Sequence, residues 1–371
     1  MYPVSKHTGP RIAACECLTA LGDTRATLAG LLDGRRALSL LPVLGQDGGD
    51  PVPLGLAGRR GLDETCPPNW LACVRRMLER LPQGDWGSVR RPVIITSSNF
   101  GVGALHAFRR SGNTAFLAHG TPFACVDWLT AQLGWGDNIT TFSHACVSAH
   151  LGLLHGSRLL KAGLADEVLV FSFDFLSPFV TGGFHALKIL NSEMPAPYQD
   201  RATGSIALGD GAAFAILTRD RGDFTLAAQS LHNEMFHFTA NQPDGAGFET
   251  CLADILPATE GRKFWVKGHG TGTLEAGRLE ATRLGSRFSE SPLVAWKGAI
   301  GHTLGSCGLV ELAIALAATT GGRIPGTVAS APPAFSPAVQ FEAFDAAPYD
   351  SVLCTSNAFG GAHAAMLVSH A

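Results

Sequence analysis

Along this chain, short blocks of consecutive apolar residues alternate with longer segments whose apolar residues recur at helical spacing. Val93–Ser98 ("VIITSS") reads as a buried strand and Phe123–Trp135 as a helix. Asn138–Ser143 reads as a strand feeding the apolar helical run that follows Cys146. Glu167–Phe173 and Ala212–Thr218 read as further strands. The polar stretch Arg219–Phe224 ("RDRGDF") breaks the rhythm and marks a boundary between halves. The alternation then resumes. Thr225–Leu231 is strand-like, Phe248–Pro257 helical, Lys263–Gly270 a strand ending in a glycine turn, and Gly277–Phe288 an amphipathic helix. Leu293–Ile300 is predicted as a strand, Gly308–Thr320 as a buried helix, and Ser351–Phe359 and Ala364–His370 as the last strands.

Regular strand–helix alternation predicts an α/β protein with buried sheets. The halves also end alike: Leu208–Thr218 ("LGDGAAFAILT") and Phe359–His370 ("FGGAHAAMLVSH") are both glycine turns leading into a small-residue strand. This points to an internal duplication, with halves spanning 1–220 and 221–371.

Composition narrows the picture. The chain has 371 residues and a net charge of −3, so no global electrostatic pull toward nucleic acid is implied. No run of about 18 apolar residues suggests a membrane span, and the first residues lack a signal-peptide core. The nine cysteines are scattered. Cys15 and Cys17 form a C-x-C, but no C-x-x-C pair completes a zinc pattern. A reduced, cytoplasmic protein is expected, with most cysteines serving as core fillers.

Three segments carry candidate chemistry. In "SHACVSAHLG", Cys146 lies between a strand and a helix start, where the helix dipole favours the thiolate. Taken alone, a cysteine there is more often a buried filler. In "VKGHGTGTLEAG", His269 follows an apolar strand between Gly268 and Gly270, and Thr271 and Thr273 add hydroxyls. Glycines at that place let a ligand approach the backbone; the alternative is a plain glycine turn. The segment is not a G-x-G-x-x-G opening a helix, so a dinucleotide loop is not indicated. In "WKGAIGHTLGSCGLVELA", His302 again sits at a glycine-flanked strand end. Lys297 precedes it, and Glu311 is a lone charge in an apolar helix, which calls for a partner. A cysteine and two histidines suit thiolate attack with stabilisation of a negative oxygen or carbanion.

In this order, the segments resemble the β-ketoacyl-acyl-carrier-protein synthases of the thiolase superfamily. "LTALGDTRATLAGLLDGRRAL", "GGFHALKIL", "QDRATGSIALGDGAA" and "NAFGGAHAAMLV" extend the resemblance over most of the chain. It implies a thiolase fold with duplicated α/β halves in a five-layered α-β-α-β-α arrangement, and a dimer, either of identical subunits or with a second ketosynthase-like subunit. It also implies an acyltransferase. Cys146 would take an acyl group from an acyl carrier protein, and His269 and His302 would stabilise the enolate formed on decarboxylation of a malonyl thioester. The backbone N–H groups of Cys146 and Phe359 would form the oxyanion hole, with Phe359 as the gate of the acyl pocket. Thr271 and Thr273 would contact the phosphopantetheine arm delivered by the carrier protein. Lys297 and Glu311 would order the histidines. Neither a metal nor a redox cofactor is implied.

His144, Val147, Ala149 and Asn357 differ from common family residues, and this points to a specialised type II fatty-acid, polyketide or aryl-polyene-like pathway. Three alternatives share the fold or the class: a chain-length-factor-like partner subunit, a thiolase-fold acyltransferase or thiolase, against which Cys354 stands outside the glycine-flanked place of a thiolase's second cysteine, and a binding protein with a degenerate site. Arg75, Arg76, Arg109 and Arg110 are candidates for docking an acidic carrier protein.

Overall fold

The computed structural model describes residues 9–58, 61–64, 66–237 and 242–371. Residues 1–8, which open the stretch read for a signal peptide, lie outside it. The core of the first half uses strands β1 (Arg11–Thr19), β2 (Val93–Thr96), β3 (Ile139–Phe142), β4 (Glu167–Asp174) and β5 (Gly211–Thr218). Helices α1 (Pro67–Leu78), α2 (Pro122–Leu133) and α3 (Ser148–Lys161) connect the first four. The second half repeats this plan with β6 (Phe224–Asn233), β7 (Phe264–Lys267), β8 (Leu293–Val294), β9 (Ser351–Ala358) and β10 (Ala362–His370). Its helices are α4 (Ala246–Ala253), α5 (Leu274–Arg287) and α6 (Cys307–Thr320).

The order of pairing makes the duplication explicit. The sheet runs β3-β2-β4-β5-β1 through the first half and, read inward from its other edge, β8-β7-β9-β10-β6 through the second. In both halves the outer pairs are parallel and the inner ones antiparallel. The halves join where β1 meets β6, through only Arg11↔Thr225 and Ile12↔Phe224.

Strand alternation sorts the side chains into layers. On β2 and β4, Ile94, Val168 and Val170 face a central core, whereas Val93, Ile95, Leu169 and Phe171 face α1 and α2. On β9 and β10, Val352, Cys354, Met366 and Val368 face the same central core, whereas Leu353, Ala365 and Leu367 face α4 and α5. Between the two sets lie α3 and α6. Leu309, Val310, Leu312, Ala313, Ile314 and Ala315 of α6 are buried together with Ala149 and Leu153 of α3. A helix that is apolar all round belongs in such a middle layer. The result is five layers of helix and sheet.

Two elements depart from the pattern reading. Leu293–Ile300 is a strand only over Leu293–Val294, and Lys297–Ile300 forms a helical turn. The turn carries the Lys297 ammonium into the interior, where a continued strand would set it on a sheet face. β1 lies inside the sheet, yet its residues, "RIAACECLT", mix polar and apolar positions without clear alternation. All nine cysteines are free, and seven are buried. Among the described residues, no helix is long and apolar enough to cross a membrane.

Candidate active site

The two middle helices begin at the same end of the molecule, and the loops before them converge. Cys146 precedes α3 in the β3–α3 loop, and His302 precedes α6 in the equivalent β8–α6 loop. His269 stands just beyond β7. The Cys146 Sγ lies 3.0 Å from His302 Nε2. The two imidazoles are perpendicular, with centroids 5.0 Å apart. One donor atom from each of the three residues falls within 4.8 Å of the others, and all three residues are buried. A sulfur and two imidazoles are donors of the kind zinc takes, but the ammonium groups behind them oppose a cation.

The Cys146 loop is tight. Ala145 adopts φ +43°, a left-handed conformation that costs a non-glycine residue about 1 kcal/mol. Ser148 clamps it: its hydroxyl donates to the Ala145 carbonyl and accepts from the His144 N–H, both at 2.7 Å. The Phe359 N–H in the β9–β10 turn favours the Cys146 thiolate. The half-buried Phe359 ring stacks on Phe184 at 5.8 Å between centroids, so the two aromatics form one wall beside the sulfur.

Burial overrides the helix dipole expected to lower the Cys146 pKa. Desolvation, with Cys307 and Asp174 nearby, pushes the thiol up; Lys297 and the Phe359 N–H act the other way. His269 and His302 are held well below the usual histidine range, by desolvation first and by Lys297 next. The resting site is therefore a neutral thiol among neutral imidazoles. Nδ1 of each ring is buried without a partner.

Beneath the rings lies a buried ion cluster. The Lys297 ammonium donates to both oxygens of Glu311, at 2.7 and 2.8 Å, and Lys267 donates to Glu311 from β7. All three side chains are about 1% exposed. Burial is the largest single influence and lowers the Lys297 pKa, but Glu311, with Cys307 and Glu280, outweighs it and the net shift is upward.

A second buried carboxylate, Glu280 of α5, shapes the other histidine. It accepts from the backbone N–H groups of His269 (2.7 Å) and Gly270 (2.9 Å), from Tyr198 Oη (2.7 Å), from Thr355 Oγ1 (3.0 Å) and from Asn357 Nδ2 (3.3 Å). The glycine before His269 serves this packing. A Cβ on Gly268 would lie 2.0 Å from the Tyr198 hydroxyl, so its missing side chain makes room for Tyr198. Thr271 and Thr273 follow, with their hydroxyls 3.0 Å apart.

The structure thus gathers Cys146, His269, His302 and Phe359, sets Lys297 and Glu311 behind them, and leaves Thr271 and Thr273 beside His269. Cys354 lies in the central core. Two of the candidate docking arginines are engaged in other contacts: Arg110 pairs with Asp47 and Asp63, and Arg75 donates to Gln132. Lys267, Glu280, Tyr198 and Asp174 were not anticipated. Asp174 is fully buried and ties Ser97, Ser98 and Asn99 to the Ser306 N–H ahead of α6. One signal was present for Lys267: a charge inside the apolar run "FWVK".

Comparisons with known proteins agree with this architecture. A family model, the β-ketoacyl synthase C-terminal domain, matches residues 225–330, which include both histidines, Lys297 and Glu311. Over 211 residues the chain is 31% identical to the tetracenomycin polyketide synthase ketoacyl synthase alpha subunit of Streptomyces glaucescens, covering 51% of this chain and 49% of that one. Over 258 residues it is 26% identical to 3-oxoacyl-[acyl-carrier-protein] synthase 2 of Coxiella burnetii, covering 63% and 62%. The matches therefore span about half to three fifths of those relatives. Among solved structures, a β-ketoacyl synthase from Burkholderia phymatum superposes with a TM-score of 0.81 at 18% identity, over 98% of this chain and 100% of that one. A chain of the complex between the ketosynthase ApeO and its chain length factor ApeC from Xenorhabdus doucetiae gives a TM-score of 0.76 at 22% identity, with full coverage of both chains. The fold is that of the thiolase-fold ketosynthases, and the resemblance to β-ketoacyl synthases carried by the motifs is present in sequence and in fold.

Proposed function

We propose that this protein is a β-ketoacyl synthase that joins an acyl group held on Cys146 to a malonyl unit delivered by an acyl carrier protein. The observation that carries this reading is the 3.0 Å contact between Cys146 Sγ and His302 Nε2, with His269 set perpendicular beside it in a buried pocket. The thiol attacks the carrier-bound acyl thioester; its proton passes to the departing carrier thiol, and a Cys146 thioester remains. Thioester exchange is close to balanced, so this step needs little driving force.

A malonyl carrier then replaces the first. Loss of carbon dioxide leaves an enolate, whose oxygen receives hydrogen bonds from the two neutral imidazoles. The enolate carbon attacks the Cys146 thioester. The tetrahedral oxyanion is held by the N–H groups of Cys146 and Phe359, and its collapse expels the Cys146 thiolate, which takes up one proton. Neutral rings suit this role, because the charge they stabilise appears only during the reaction. The sequence of steps requires no metal or redox group; the phosphopantetheine arm arrives with the carrier and passes Thr271 and Thr273.

A dimer fits the sheet. β3 is an edge strand, and an open edge invites pairing with a second subunit. That subunit is either another copy or a chain-length-factor-like partner, as in the complex of ApeO with ApeC. A purely structural partner has no use for the intact cysteine and histidines, so the catalytic reading is preferred. A soluble cytoplasmic setting and a specialised fatty-acid, polyketide or aryl-polyene-like pathway complete the proposal.

The test uses the full chain, alone and with a candidate partner, incubated with acyl carriers and malonyl carrier. An acyl mass on the Cys146 peptide and release of carbon dioxide are expected, and Cys146→Ala should lose the adduct. His302→Ala should slow condensation by about 10²–10³. Acyl transfer that persists in Cys146→Ala would sink the assignment.

A further inference from the structure

The buried charges beside the site include a group that the proposed reaction has not used. Glu280 and Glu311 are two carboxylates sealed from water, 3% and 1% exposed. The chemistry proposed above creates an anion in the same pocket, first at sulfur and then at oxygen. Buried carboxylates oppose such an anion unless cations offset them. Lys297 offsets one. The second cation is Lys267, on the last position of β7 and two residues before His269.

We propose that Lys267 is a positioning residue for this reaction, a second buried ammonium that cancels the second buried carboxylate and so permits an anion to form on Cys146 and between His269 and His302. Its contacts suit the role. Lys267 Nζ donates to Glu311 and lies 3.5 Å from the Thr355 carbonyl, and Thr355 Oγ1 donates to Glu280. The ammonium thus links the Glu311 cluster to the strand that supports the Glu280 cluster. A methionine would fill the same space and leave two carboxylates facing one ammonium. Lys267 also contributes to holding His269, His302 and the buried His150 in their neutral forms. The enolate role rests on the ketosynthase reading; the effect on the thiol does not.

The groups facing the Cys146 sulfur set the test. They are His302 and Cys307 from the β8–α6 loop and α6, His269 beyond β7, and Asp174 of β4. Behind them stand Lys297, Lys267, Glu311, Glu280 and His150. Only Lys267 is changed in the experiment, so the other groups stay common to every variant.

Alkylation of Cys146 by iodoacetamide, followed by mass spectrometry of its peptide from pH 6 to 10, reads thiolate formation without any carrier substrate. Because burial holds the thiol above this range, the rate should climb with pH throughout it, and Lys267→Met should slow alkylation about tenfold at every pH. Lys267→Arg, which keeps the charge, should retain the profile of the parent protein. A lower melting temperature with an unchanged profile in Lys267→Met would reduce Lys267 to a structural residue and overturn the proposal.

If Lys267→Met does not fold, nuclear magnetic resonance of the histidines in the unaltered protein decides. His269 and His302 should titrate well below the ordinary histidine range, and titration of either near pH 6.5 overturns the proposal. A shifted alkylation profile without carbon dioxide release from malonyl carrier would keep this inference for the thiol and refute the ketosynthase reading instead.

Discussion

The β3–α3 and β8–α6 loops occupy equivalent places in the two halves, yet they do different work. Each contains one non-glycine residue in the left-handed region, Ala145 at φ +43° and Leu304 at φ +54°. Each leads into a middle-layer helix. The first loop delivers a sulfur, and the helix behind it keeps part of its surface outside the core. The second delivers an imidazole, and its helix is buried along most of its length with one charge, Glu311. Duplication therefore supplied two similar mounts, and side-chain identity placed a thiol on one and an imidazole backed by buried charge on the other. The helices also meet closely: a Cβ on Gly308 of α6 would lie 2.4 Å from His150 Nδ1 of α3.

If the second mount depends on buried charge, Glu311→Gln should break it most severely. Two ammoniums would lose their carboxylate, and denaturant unfolding should show a loss of about 3–5 kcal/mol. Glu280→Gln should cost about 1–3 kcal/mol, because an amide NH₂ would face donors that now point at a carboxylate. It should also lower condensation more than it lowers acyl loading, since it displaces His269 and leaves Cys146 in place.

Acid should separate the halves more gently. The His150 pKa is lowered to about 3, chiefly by desolvation, and those of His269 and His302 are lowered as well. In the unfolded chain these rings bind protons near pH 6.5, so the unfolded state takes up protons that the folded state refuses. Stability should then fall as pH drops below about 6.5, by about 1.4 kcal/mol per pH unit for each ring held neutral. His150→Phe should reduce that slope in pH-dependent melts by one ring's share. An unchanged slope would show that His150 is not among the groups that resist protonation.

The smallest effect sharpens the comparison itself. Ala145→Gly relieves a left-handed residue and should raise stability by up to about 1 kcal/mol in thermal unfolding. The same change at Leu304 should be net destabilising, because that side chain is buried and its loss costs about 2 kcal/mol or more.

Most of the strand and helix plan, and the Cys146, His269 and His302 set, were legible in the sequence. Apolar runs of strand and helix length recur twice, and the reactive residues sit where glycine or a helix start interrupts them. Lys267 and Glu280 were not legible in the same way. Lys267 closes a four-residue apolar strand, and Glu280 sits in a charge-rich helix that reads as solvated. Their burial depends on residues far along the chain: Lys267 meets Glu311, and Glu280 meets Tyr198 and Thr355. The Leu293–Ile300 segment was misread for the same reason, since its turn answers to Glu311 and not to its own neighbours.

Local pattern by itself determined the elements, their repetition and the candidate sulfur and ring nitrogens, because periodicity and turn chemistry act over a few residues. Only the tertiary structure decided how those atoms behave. Burial turned an expected thiolate into a neutral thiol, and gave the glycine beside His269 a packing role. It also set two lysines against two carboxylates, because desolvation and charge pairing depend on which distant segments the fold brings together.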